Sequence, residues 1–151
     1  MEVGARPATA TDLAELDELA AAAIAELVHT RGGSLYVRHD ARSTPISELL
    51  DRPDALVLVG TIDDTPIGYA VATIEALRDG GQLAIVSDIF VLPDGRGVGV
   101  GEALMDEITA WSTAAGCIGI DSMVLPGNRD SKNFFETFGL TARAIVVHRS
   151  L

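Results

Sequence analysis

The sequence predicts a mixed α/β fold with a mainly antiparallel sheet, and three observations carry that expectation. Three long apolar runs, "ALVLVGTID", "PIGYAVATIEAL" and "LAIVSDIFVL", follow one another with short polar breaks, the pattern of an antiparallel meander. The period then becomes helical from Gly97 to Ala115, where Val100, Leu104, Ile108, Trp111 and Ala115 form one apolar stripe. Another apolar run, "CIGIDSMVL", follows that helix, which therefore reads as a crossover to a parallel strand in a mixed sheet.

The remaining elements fall around this centre. "EVGAR" reads as a first strand. In "ATATDLAELDELAAAAIAEL", Leu13, Leu16, Leu19, Ala20, Ala23, Ile24 and Leu27 recur at helical spacing behind a Thr11 or Asp12 cap. The polar stretch "VHTRGGSLYVRHDARST" reads as a loop, leading into a short helix around "TPISELLDR" with Pro45 in its first turn. "DDTP" is the first meander turn and "DGGQ" the second. Gly116 stops the long helix, "DSKNFFETFG" is a short helix ending at Gly139, and "LTARAIVVHRSL" is expected as a final strand.

Composition bounds the function. The 151 residues hold 11 basic and 22 acidic side chains, for a net charge of −11. Nucleic acid and anionic membrane need clustered Lys and Arg, so neither is expected as a partner. The single cysteine, Cys117, excludes an internal disulfide and a Cys-rich metal site, and reads as a structural thiol. No metal is expected. No apolar run approaches the roughly 20 residues of a membrane span, and "MEVGARPATATD" has no signal-peptide pattern, so a cytoplasmic location is expected. Without repeats or a long linker, residues 1–151 are expected to form one domain.

The densest chemical signal is "LPDGRGVGVGEALM", residues 92–105, a glycine-rich loop opening a helix. Unpaired amides of a first helical turn, with the helix dipole behind them, bind anions. Gly97, Gly99 and Gly101 would let those amides approach a phosphate, and Arg96 would add charge. The alternative is a glycine-rich turn without a ligand. A nucleoside-triphosphate loop needs Lys and Ser or Thr after its last glycine, but Glu102 and Ala103 stand there. The dinucleotide spacing fails as well, whether counted from Gly95 or Gly97.

The loop resembles the acyl-CoA pyrophosphate loop of the GNAT N-acetyltransferase superfamily, with Arg96, Gly99 and Gly101 on its motif and Val91 and Pro93 before it. "RPATATD", "PIGYAVATI" and "NRDSKNFFETFGL" resemble other signatures of that superfamily, so the resemblance spans nearly the whole chain. It implies a GNAT-like mixed sheet of six to seven strands, flanked by about four helices and splayed at the central strands. It implies acetyl-CoA as acyl donor, with its arm along Ile89, Phe90 and Val91. The pyrophosphate would lie on Arg96, Gly97, Val98, Gly99, Val100 and Gly101, with Asn128, Ser131 and Phe135 beside the cofactor. Taken alone, Asn128 is a turn residue more often than a ligand. The family often dimerises, which makes a homodimer an expectation.

The implied activity is acetyl transfer from the thioester to an amine (a small amine, Lys or an α-amino group) by direct attack in a ternary complex. The alternative is an acyl-CoA sensor with little turnover. The resemblance also marks a departure, because the position where the family commonly carries an acidic tyrosine falls on Phe135, which has no proton to give. Tyr36 and Tyr69 remain as candidate acids, with Tyr36 in the acceptor-side segment. Asp88, an acid inside the apolar run "VSDIFV", is the candidate base, or else it caps a bulge or pairs with a nearby arginine. Strand alternation places Ser87 and Asp88 on opposite faces.

Overall fold

The computed structural model describes residues 1–151. Its elements are β1 (Val3–Pro7), α1 (Leu13–Leu27), α2 (Gly33–Leu35), α3 (Ile46–Leu49), β2 (Ala55–Ile62), β3 (Thr65–Ala76), β4 (Gln82–Val91), α4 (Val100–Ala114), β5 (Ile120–Ser122) and α5 (Arg129–Thr137). The five strands lie in sequence order. The pairs from β1 through β4 are antiparallel, and β5 joins β4 in parallel. The meander and the α4 crossover therefore stand as expected.

Alternation along the strands explains why both faces of the sheet are apolar. On β2 and β3, Val57, Val59, Tyr69 and Val71 face α1 and α3, packing with Leu16, Leu19, Ile46 and Leu49. Their neighbours Leu58, Ala70 and Ala72 face α4 and α5, packing with Leu104, Met105, Ile108 and Phe135. Two helical layers cover one sheet, so its central strands carry no polar face.

Two expectations need correction. The sheet has five strands rather than six to seven, because residues 141–151 form no backbone hydrogen bond and pair with no strand. The polar stretch after α1 is partly helical: α2 runs on into a π-helical turn at Tyr36–Asp40. The cap of α1 is Asp12, one of the two expected positions. A single 3-10 turn, Ala10–Asp12, precedes the helix, and the Thr9 amide donates to Asp12 Oδ2 at 2.8 Å. Arg6 on β1 grips both oxygens of Asp12 at 2.8 Å, tying the first strand to the first helix. That grip holds the Asp12 carboxyl at about 2, below its ordinary 3.8.

Candidate functional site

The site begins with a bulge. Val71 pairs with Asp88 but Ala72 pairs with Val86, so Ser87 is an extra residue in β4. The bulge breaks the alternation and brings Ser87 and Asp88 together, with Ser87 Oγ donating to Asp88 Oδ1 at 2.7 Å. The expectation of opposite faces is thus overturned. The bulge also ends the parallel ladder, whose last pair is Val86 with Ser122. Past it β4 and β5 separate, and β5 offers Ile89, Phe90 and Val91 no partner.

A cleft fills that separation. Ile89 and Phe90 line it, as do Tyr36, Asp88, Asn128, Ser131 and Phe135, so the structure gathers seven of the expected residues around one cavity. Ala23 and Ile24 of α1 and Val124 and Leu125 beyond β5 complete its apolar walls. Asn128 caps α5 by accepting from the Ser131 amide at 3.2 Å. That contact uses its carbonyl oxygen and leaves the side-chain amide directed at no protein group.

The other expected residues are Val91, at the end of β4, and the loop from Arg96 to Gly101, and none of them lines the cavity. No N–H from Gly97 through Glu102 donates to a protein acceptor, and the first amide satisfied in the helix is Ala103, bonded to the Gly99 carbonyl at 3.0 Å. Gly97 and Gly99 have φ of 82° and 106°, where a side chain is strained, and that backbone turns the free amides outward. Gly101 also has a packing role. A Cβ there would come within 2.9 Å of the Phe134 ring, so its smallness lets α5 pack on α4. Arg96 does not stand free over the loop. Its Nε donates to the Val91 carbonyl at 2.8 Å, its Nη2 meets Glu26 at 2.8 Å, and its guanidinium lies 5.5 Å from the centre of the Phe90 ring. The Val91 carbonyl is therefore engaged by a side chain rather than open.

At the cleft floor Asp88 is saturated. Arg42 Nε and Nη2 donate to its two oxygens at 3.0 and 3.1 Å, and Tyr69 Oη adds a third donor at 2.7 Å besides Ser87. Arg42 and Asp88 side chains are only 16% and 12% exposed, so the ion pair is poorly screened. The arginine pairing left open by the sequence is present. Tyr36 Oη lies 3.5 Å from the Ser87 carbonyl oxygen. Burial, then the Asp88 charge, pushes the Tyr36 hydroxyl up, and the same two causes push Tyr69 up further. Both phenols stay protonated at neutral pH. Phe135 is 5% exposed and packs in the α4 core, edge-on to Phe134 with ring centres 5.4 Å apart.

Arg42 and Glu26 were missed as site residues. Arg42 stands in a polar stretch with no periodicity and meets Asp88 across 46 positions, so only the unpaired look of Asp88 in its apolar run hinted at a cation. Glu26 is one carboxylate among several on a helix face.

A sheet split at a parallel edge and a strip of free amides at a helix N-terminus suit an extended ligand that carries an anionic group. Residues 18–140 match the acetyltransferase (GNAT) family, and the chain belongs to that family. Solved structures share the fold along its whole length. A structure of AAC(6′)-Iy in complex with the bisubstrate analogue CoA-S-monomethyl-acetylneamine is 21% identical with a TM-score of 0.74, covering 100% of this chain and 99% of that one. A tetramutant of the BH1408 protein from Bacillus halodurans is 20% identical with a TM-score of 0.81, and each chain is covered completely. An acetyltransferase from Trypanosoma brucei is 21% identical with a TM-score of 0.69, covering 99% of this chain and 100% of that one. No curated protein sequence matches the chain. No helix is long and apolar enough to cross a membrane.

Proposed function

We propose that the chain is an acetyl-CoA-dependent N-acetyltransferase acting on an amine by direct attack in a ternary complex. The observation that carries this reading is the strip of undonated amides from Gly97 to Glu102 at the start of α4, which follows in the chain the strand β4 that separates from β5. Six outward amides and two left-handed glycines fit a pyrophosphate, and the separated edge of β4 fits the amide-bearing arm behind it. Arg96 joins the phosphate site by releasing Glu26, and Asn128 and Ser131 offer polar groups to the arm. The bound donor supplies a thioester; the amine nitrogen forms the new C–N bond as the C–S bond breaks.

The chain's own groups then do three things. The bulge at Ser87 fixes the backbone against which the acyl group is positioned. Asp88, engaged by four donors from Arg42, Tyr69 and Ser87, lies at the cleft floor as the candidate base. It takes a proton directly only when one donor, the Ser87 hydroxyl being the lightest, turns away; otherwise the amine proton leaves through water. Tyr36, protonated and beside the bulge, would give a proton to the departing thiolate. AAC(6′)-Iy is an aminoglycoside N-acetyltransferase solved in complex with CoA, and this supports testing polycationic amines first.

A sensor that binds acyl-CoA with little turnover is the second reading, favoured by the buried, hydroxyl-free Phe135. Incubation with acetyl-CoA and a panel of amines, aminoglycosides and Lys-containing peptides separates the two by thiol release. Turnover well above uncatalysed aminolysis supports the enzyme. Calorimetric binding without thiol release supports the sensor, and no binding of acetyl-CoA would sink both.

A further inference from the structure

The chain carries 22 acidic side chains, yet Asp88 is the only one that lines the cleft, and Arg42 is the only basic one. They neutralise each other. Four donors fill the Asp88 carboxylate, and every guanidinium nitrogen of Arg42 is used, since Nη1 donates to the Thr44 carbonyl at 2.6 Å. The rest of the wall is mostly apolar. Ala20, Ala23, Ile24 and Leu27 stand at i, i+3, i+4 and i+7 on α1, so one stripe of that helix faces the cleft. The cleft holds about 130 Å³, close to the space in which an apolar cavity binds one benzene ring.

A second ammonium finds no carboxylate in such a cleft. An amine must lose its proton to attack, and desolvation by apolar walls favours its uncharged form. A monoamine is then neutral throughout. A polyamine would bring further charges against α1, and a buried charge without a partner is costly. Size points the same way. The donor's arm along β4 takes its share of the space, which limits the buried part of an acceptor to about one ring.

Resting on the acetyltransferase reading above, we propose that the acceptor is a primary monoamine on a compact apolar body, seated against the α1 stripe, and not a polyamine. Calorimetry on the protein with CoA present tests this, using phenethylamine, spermidine and an aminoglycoside. Salt at about 0.15 M screens the acids outside the cleft. Phenethylamine should bind one per chain, ~10-fold tighter than either polycation, and thiol release from acetyl-CoA should follow the same order. Ile24 is 37% exposed and stands outside the two core clusters, so it can be changed without emptying them. Ile24→Asp sets an unpaired carboxylate in the stripe. Phenethylamine should then bind ~10-fold more weakly and spermidine more tightly by a similar factor, with acetyl-CoA affinity held. Tighter binding of a polycation to the wild type, or no binding of phenethylamine, would overturn the proposal while acetyl transfer to another amine still stood. So would an Ile24→Asp chain that keeps the wild-type order; a loss of acetyl-CoA affinity in its place would give α1 to the donor's arm. Phenethylamine binding without thiol release would uphold the acceptor pocket and remove the enzyme reading instead.

Discussion

The glycine loop and the cleft floor are neighbours that handle polarity in opposite ways. In the loop, Gly97 to Glu102, the polar groups are backbone amides and none is spent within the protein. At the floor, Asp88, Arg42, Tyr69 and Ser87 are side chains that spend their polarity on one another. An unspent strip is ready for an anion; a spent cluster is a rigid wall that shapes potential and position. Side-chain changes should therefore strike the floor through stability and turnover, and the loop through ligand affinity alone.

The largest expected effect is at the floor. Arg42→Met leaves the Asp88 carboxylate mostly buried beside an apolar stem, and stability should fall by about 3 kcal/mol. Thermal unfolding would read this as a drop of roughly 6–12 °C for a chain of this size. An unchanged melting temperature would mean that the floor is not the rigid unit its hydrogen bonds describe. Next, Asp88→Asn should lower turnover about 100-fold while leaving acetyl-CoA affinity nearly unchanged, the loss expected for a lone charge or proton acceptor at the reacting centre. Steady-state kinetics beside calorimetry would show whether affinity moves instead.

The loop should answer differently. Gly99→Val forces a β-branched residue to a φ of 106° and costs on the order of 2 kcal/mol locally, so acetyl-CoA affinity should drop ~30-fold. An affinity that holds would remove the amide strip from the phosphate site. The smallest effect lies outside both regions, as a control. Asp12 is held at about 2 in the folded chain against 3.8 ordinarily, so its pairing with Arg6 stabilises the fold above about pH 4. That contribution disappears as pH falls through 2, and because Arg6 is half exposed it should amount to about 1 kcal/mol. Acid unfolding of Asp12→Asn should lack this component, with loop and floor unaffected.

The two regions also differ in how far the chain itself announces them. The loop is local: a glycine-rich strand-to-helix junction can be read in fourteen consecutive letters, because backbone geometry depends on near neighbours. Even there, Gly101 belongs to helix packing against Phe134, which lies 33 positions away. The floor is non-local. Arg42 comes from a stretch without periodicity, Tyr69 from the middle of β3, and Asp88 from a bulge that alternation does not foresee.

Residues 141–151 show the same limit at the level of the fold. Their branched side chains suit a strand, but a strand exists only where another edge supplies its hydrogen bonds, and within one copy none does. The sequence by itself determined the meander, the α4 crossover and the amide-rich helix start, since propensity, periodicity and glycine spacing act within a turn or two of the chain. Tertiary structure alone decided which polar groups remain free and which are consumed. Pairing Asp88 with Arg42, or Arg96 with Glu26, depends on distances in space that no local pattern encodes.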